Sequence, residues 1–229
     1  IGGHGTTIGG AIVDGGAFPW ADFPDRQPLL HRPDPGYANH NYLQLAETLG
    51  GPIAFVLRAR AALLRDLGPS LAPQNAFQLI QGLETLPLRI QRHFDNASKV
   101  ASYLANHPKV AKVIYPGLQT GAERERADKY LNYGYGVLVG FELKDGEAAA
   151  FAFIDRLKLF YHLADIGDAR SLAIHPSSTT HGQLNPAQQA AAGISPAFVR
   201  LSIGLEDPDD IIADIAQSLD GVAVLKAAE

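Results

Sequence analysis

From Val110 onward the chain switches repeatedly between the hydrophobic period of a strand and that of a helix, and this limits its possible folds more than any other feature. Short apolar or alternating runs at 110–115, 136–143, 161–166 and 198–203 read as strands. Helical spacing occupies 124–131 and, after an Asp145-Gly146 turn, 147–159. The last strand leads into a well-marked helix. Asp207 stands at its cap, Pro208 at its first position and Asp209 and Asp210 in its first turn, while Ile211, Ile212, Ile215 and Leu219 share one face. Strands alternating with helices in this way belong to the α/β class.

Upstream the pattern is mostly helical. Ile53, Leu57, Ala61, Leu64 and Leu67 keep one face up to a Gly68-Pro69 stop. A longer stretch begins near Asn75 with Phe77, Leu79, Ile80 and Leu83. It continues through Leu86, Ile90, Phe94, Ala97, Ala101 and Leu104 to Asn106-His107-Pro108. Pro87 removes a backbone donor inside it, so the helix is expected to kink or to restart with Thr85 as cap. A domain boundary is placed at this break, dividing 1–82 from 83–229. Residues 8–14 read as a buried strand closed by Asp14-Gly15-Gly16. Residues 17–51, with Pro19, Pro24, Pro28, Pro33 and Pro35, read as a long loop. Loops of more than about 15 residues are uncommon in compact domains and often functional.

Composition excludes several function classes. With 19 Lys and Arg against 24 Asp and Glu, the net charge is -5, and no basic cluster could neutralise a run of phosphates. Nucleic acid is not expected as a partner. Apolar runs such as 53–57 and 137–141 fall far short of the roughly 18 residues that span a bilayer. The absence of Cys removes disulfides, Cys-ligated zinc, iron–sulfur clusters and thiol nucleophiles, and suits a reducing cytoplasm. Met is also absent, and Ile1 opens no signal peptide, so the chain reads as a fragment or processed product.

Three motifs carry candidate chemistry. Gly2-Gly3-His4-Gly5-Thr6-Thr7 has the composition of a phosphate loop, but a strand rather than a helix is expected after it, so tight packing is the favoured reading. His175, His181, Ser177 and Ser178 with Asp165 or Asp168 hold the ingredients of a hydrolytic triad, and His4, His175 and His181 those of a zinc site. Neither a nucleophile elbow nor a zinc-binding helix motif is present. Arg200 is more informative. Period two in 198–203 puts Val199, Leu201 and Ile203 on one face and Phe198, Arg200 and Ser202 on the other. A guanidinium on a rigid strand suits bidentate binding of a carboxylate, or a structural ion pair.

Six stretches in order, at 1–7, 75–86, 115–118 (Tyr115-Pro116-Gly117-Leu118), 167–172, 175–181 and 199–207, resemble the Cys/Met-metabolism enzymes that depend on pyridoxal phosphate. The resemblance covers nearly the whole chain. It implies fold type I of the pyridoxal phosphate enzymes, with residues 1–82 closing a large cofactor domain and 83–229 forming a small C-terminal α/β domain. It also implies a Schiff-base lysine two positions before Ile1, and sites shared between subunits of a cytoplasmic homotetramer. The matching arginine in the family, here Arg200, binds the substrate α-carboxylate. Asp165 stands where the family usually has Asn or Ser. Its carboxylate would have to be protonated, turned away, or contribute only backbone groups. Ala164 matches a position that helps separate substrates, and Thr180 one that positions the substrate or the arginine. Pro33-Asp34-Pro35-Gly36-Tyr37 resembles an insertion of the sulfhydrylase branch. The implied reaction is γ-replacement on an amino-acid substrate, O-acetyl-L-homoserine and sulfide giving L-homocysteine and acetate. A γ-lyase or cystathionine γ-synthase-type activity, or a non-catalytic α/β interaction domain, are the alternatives.

Overall fold

The computed structural model describes residues 1–222. They form two compact units, one of Ile8–Phe77 and one of Ile1–Thr7 together with the chain from Gln78 onward.

In the first unit the expected strand at 8–14 does not form, and Ile8, Ile12 and Val13 are exposed. A strand needs a ladder for its N–H and C=O groups. The described residues of this unit offer only an isolated bridge between Asp34 and His40. The region expected to be a long loop is instead punctuated by short helices. These are a 3-10 turn at Trp20–Asp22, α1 (Pro28–His31), a second 3-10 turn at Pro35–Tyr37, and α2 (Tyr42–Thr48). Elements this short carry no readable period. Pro28 and Pro35 begin helices, where a missing N–H costs nothing, rather than interrupt them. Asn41 caps α2, its side chain accepting from Leu43 N at 2.9 Å.

Leu30, Tyr42, Ala46 and Ala54 form this unit's core, with Trp20 and Tyr37 against it. Tyr42 donates its hydroxyl to Asp34 at 2.5 Å. Burial and then that carboxylate push the phenol up to about 12. The helical run expected from Ile53 is present as α3 (Ala54–Arg58), a wider π turn at Ala59–Leu64 and α4 (Arg65–Leu67). It stops at Gly68, whose φ of 70° suits a residue without Cβ.

The long helical stretch divides at Thr85 into α5 (Pro73–Glu84) and α6 (Leu86–Ala105). The restart is as expected, but the Thr85 side chain caps nothing; its hydroxyl accepts from Arg89 Nε at 3.3 Å. The buried face of α6 follows expectation at Ala97, Ala101 and Leu104 but differs earlier in the helix. Its first half buries Arg89, His93 and Asn96, while Leu86, Ile90 and Phe94 stay partly exposed. The polar side chains are inside because backbone carbonyls await them there. His93 Nδ1 donates to Ile203 O at 2.6 Å, and Asn96 Nδ2 to Gly204 O and Glu206 O at 3.0 and 2.9 Å.

The second unit is built on β1 (Val110–Ile114), β2 (Leu138–Leu143), β3 (Tyr161–His162), β4 (Leu172–Ile174) and β5 (Phe198–Ser202). The sheet order is β1-β2-β5-β4-β3, with only the β3–β4 pair parallel. Helices α7 (Gly121–Tyr130), α8 (Gly146–Arg156), α9 (Pro186–Ala191) and α10 (Pro208–Gly221) complete it. The strand expected at 161–166 shrinks to two residues, whereas β4 and α9 had no distinct period. Val139, Phe141, Val199, Leu201, Ile211, Ile215 and Leu219 pack in its core. Asp207 caps α10 by accepting from Asp209 N at 2.9 Å, as its position suggests.

His93 sets a pH dependence. Burial lowers its pKa, outweighing the hydrogen bond to Ile203. Because Nδ1 donates, protonation would load Nε2, which is buried without a partner. The unfolded chain therefore binds the proton more readily below about pH 6.5, and stability should fall as pH drops from there through the folded pKa. Denaturant midpoints of the protein measured across this range should show that slope, and His93→Gln should flatten it. An equal slope in both proteins would contradict the assignment.

Candidate functional site

Strand β5 lies between β2 and β4, so its backbone is held from both sides. Arg200 is in register with Gly140 on β2 and Ile174 on β4. The expected alternation is present: Val199, Leu201 and Ile203 are fully buried, and Arg200 projects from the other face together with Phe198 and Ser202. Gly140 belongs to this arrangement, since a Cβ there would come within 2.6 Å of the Phe198 ring.

Arg200 is half-buried, and its guanidinium makes no hydrogen bond or ion pair among the described residues. Burial lowers its pKa, and the only opposing influence is the charge of Asp165. The group still stays protonated at any physiological pH. A partly desolvated cation without an internal counter-ion is poised to take an external anion. Among the described residues no carboxylate forms a structural ion pair with it.

Asp165 follows β3 in an exposed loop, where its Oδ1 accepts from Ile166 N at 2.7 Å. It is near enough to act on Arg200 electrostatically but forms no ion pair with it. Thr180 is exposed, and its hydroxyl shares a hydrogen bond with His181 Nδ1 at 2.9 Å and makes none with Arg200. Ala164 sits in the same exposed loop as Asp165.

The histidine and serine cluster is structural. His175 is fully buried, and Nε2 lies 2.7 Å from Pro196 O. A carbonyl only accepts, so Nε2 carries the proton and Nδ1 accepts from Ser178 Oγ at 2.9 Å. With both nitrogens engaged, His175 serves neither as base nor as metal ligand. Thr179 donates to His175 O at 2.7 Å, and Gln189 ties Ser177 O and His181 O together.

A second set of residues, which periodicity does not single out, surrounds the glycine segment. Asp168 is 2 % exposed. Burial would raise its carboxyl, but hydrogen bonds from Arg170 overcome this and hold it below the ordinary range. Glu206 accepts from Ser171 N and Oγ at 2.7 and 2.9 Å. Ala169 N donates to Gly3 O at 2.6 Å. Gly2–Gly5 thus lies against the 168–171 loop, with its carbonyls rather than its N–H groups engaged, and no helix follows it. It is not a phosphate cradle. The donor set suits an amino acid's carboxylate at Arg200.

Residues 1–220 match the family model described as Cys/Met metabolism PLP-dependent enzyme. The chain belongs to this family. It is 51% identical over 227 residues to O-acetyl-L-homoserine sulfhydrylase of Leptospira meyeri, covering 97% of this chain and 51% of that protein. It is 49% identical to O-acetyl-L-homoserine sulfhydrylase 1 of Thermus thermophilus, over 96% of this chain and 51% of that protein. Homocysteine/cysteine synthase of Saccharomyces cerevisiae is 44% identical over 97% of this chain and 51% of its own length. The chain therefore spans about half the length of these relatives. Among solved structures, a putative O-acetylhomoserine (thiol)-lyase from Campylobacter jejuni carrying a pyridoxyl-lysine phosphate superposes with a TM-score of 0.76 at 45% identity, over 86% of this chain and 45% of that one. The sheet, the glycine segment and Arg200 all lie within the stretch that the Cys/Met family model covers.

Proposed function

We propose that the complete protein is a pyridoxal phosphate enzyme of the γ-replacement type, converting O-acetyl-L-homoserine and sulfide to L-homocysteine and acetate. The observation that carries this reading is the half-buried, internally unpaired Arg200 on the central strand of a Cys/Met-family chain. The sulfhydrylase names of its relatives support the choice of substrate.

In this reading the cofactor, when bound, supplies an electron sink for the chemistry at the substrate carbons. Arg200 forms a two-pronged hydrogen bond to the α-carboxylate. Because β5 is held by β2 and β4, the guanidinium gives the amino acid a single orientation, a positioning effect worth several kcal/mol. Asp165, engaged by its own backbone, stands at the rim and helps keep Arg200 charged without filling its place. Thr180, tied to His181, borders the substrate. The division into a large cofactor domain ending at residue 82 and a small domain from 83 belongs to the same proposal, supported by the helix break at Thr85. So does a homotetramer with shared sites.

The complete enzyme given O-acetylhomoserine should release acetate with homocysteine only when sulfide is present. Release of ammonia and a keto acid without sulfide would identify a γ-lyase instead. A complete protein that forms no visible band with pyridoxal phosphate would favour a non-catalytic role.

A further inference from the structure

Ser202 is 2% exposed on the central strand, with Leu138 of β2 and Leu172 of β4 in register on either side. A hydroxyl buried among leucines is costly unless a hydrogen bond uses it. Here Ser202 Oγ accepts from Gly167 N at 3.1 Å. Gly167 adopts φ +77°, which glycine takes freely, and there the chain turns from the exposed loop after β3 towards the buried Asp168.

Beyond Gly167 the chain is tied to the continuation of β5. Leu205 N donates to Ala169 O at 2.8 Å, and Gly204 N to Ser171 Oγ at 2.9 Å. Before Gly167 the hold is different. Residues 163–166 are exposed, and Leu163 N and Ile166 N bond only to Tyr161 O and Asp165 Oδ1, one or two residues away. The bond to Ser202 is therefore the anchor at the far end of this stretch.

The stretch carries a carboxylate next to a guanidinium. Ser202 and Arg200 lie two residues apart on one face of β5. The charge of Asp165 acts on Arg200, yet the two form no ion pair. If that carboxylate closed on Arg200 it would take the place an incoming carboxylate needs. Being part of the same chain, it would compete at a high effective concentration.

We infer that Ser202 is a positioning residue, whose hydroxyl anchors the Asp165 loop at Gly167 and so holds the Asp165 carboxylate short of Arg200, leaving the guanidinium open to a substrate carboxylate. This rests on the function proposed above, in which Arg200 binds the α-carboxylate. Ser202 acts through the loop and does not touch the substrate.

The test uses the complete protein loaded with pyridoxal phosphate, as wild type, Ser202→Ala, Asp165→Asn, the double variant, Asp165→Glu and Arg200→Ala. Binding of L-2-aminobutyrate, which keeps the α-carboxylate and lacks the acetyl leaving group, is measured by calorimetry, beside the thermal midpoint and steady-state kinetics. Ser202→Ala should bind the probe about tenfold more weakly, because the freed loop lets Asp165 compete. KM for O-acetylhomoserine should rise with it, and kcat should change less, since bound substrate has already displaced the competitor. Asp165→Asn alone should bind as wild type does. Added to Ser202→Ala, it should restore binding to within about threefold of wild type, a coupling that a purely structural hydroxyl would not show. Asp165→Glu, longer by one methylene and exposed, should weaken the probe with Ser202 intact. Wild-type binding by Ser202→Ala would overturn the inference, as would an equal loss with and without the Asp165 charge. Should Ser202→Ala not fold, Asp165→Glu decides, and wild-type binding by it overturns the inference. An Arg200→Ala protein that binds the probe as tightly as wild type would instead sink the functional reading.

Discussion

On the proposed γ-replacement activity, replacing Arg200 by alanine in the complete protein should lower kcat/KM for O-acetylhomoserine by about 100-fold or more, equivalent to about 2.7 kcal/mol of transition-state stabilisation. The expectation follows from its surroundings. No described residue competes for the guanidinium, so in the proposed reading its loss removes this strand's partner for the substrate carboxylate. Both KM and kcat should suffer, because the same contact binds and orients. Arg200→Lys should recover only part of the loss, since a point-like ammonium cannot make the parallel pair of bonds that a planar fork makes. Thermal stability should hardly change, because Arg200 makes no hydrogen bond or ion pair among the described residues. Steady-state kinetics on wild type and the two variants decide it. An Arg200→Ala enzyme within about threefold of wild type would end the carboxylate assignment.

The second large effect concerns the core that carries Arg200. Phe141 on β2 is fully buried and meets the Phe153 ring edge-on at 5.3 Å between centroids. Phe141→Ala should cost about 3–5 kcal/mol, combining lost transfer energy with the cavity left behind. The neighbouring Gly140 is in register with Arg200, so a slack β2 would also loosen the strand position that carries Arg200. Denaturant unfolding of the complete enzyme should show an early loss of structure in the variant. A midpoint equal to wild type would show that this ring pair is not central to the core.

The sequence made legible those features whose signal is local. Period two placed Val199, Leu201 and Ile203 inward and Arg200 on the opposite face, because alternation in a strand depends only on the backbone. Asp207 and Pro208 marked the start of α10, and Thr85 with Pro87 the break between α5 and α6, because helix ends are set by nearby donors and acceptors. Features that depend on distant partners were not legible. The apolar run at 8–14 looked like a strand, and only a neighbouring ladder could have made it one. On α6 the apolar residues marked the buried face correctly at Ala97, Ala101 and Leu104 but not at Leu86, Ile90 and Phe94, since nothing within the helix says that carbonyls of residues 1, 82, 203, 204 and 206 are waiting for Arg89, His93 and Asn96.

The same division holds for the site. That Arg200 rides on a strand with its side chain away from the apolar face was readable from six consecutive residues. Whether it would meet an internal carboxylate was not, because ion pairing depends on which loops fold over the strand, and neither Asp165 nor any other described acid closes on it. His175 shows the converse: catalytic ingredients that look promising in a line become inert once Pro196 O and Ser178 Oγ occupy both ring nitrogens. Residue order along the chain determined the elements and their faces, through bonds a few residues long. Tertiary structure alone decided which polar groups find partners and which stay open, because burial and pairing are properties of neighbours brought together in space.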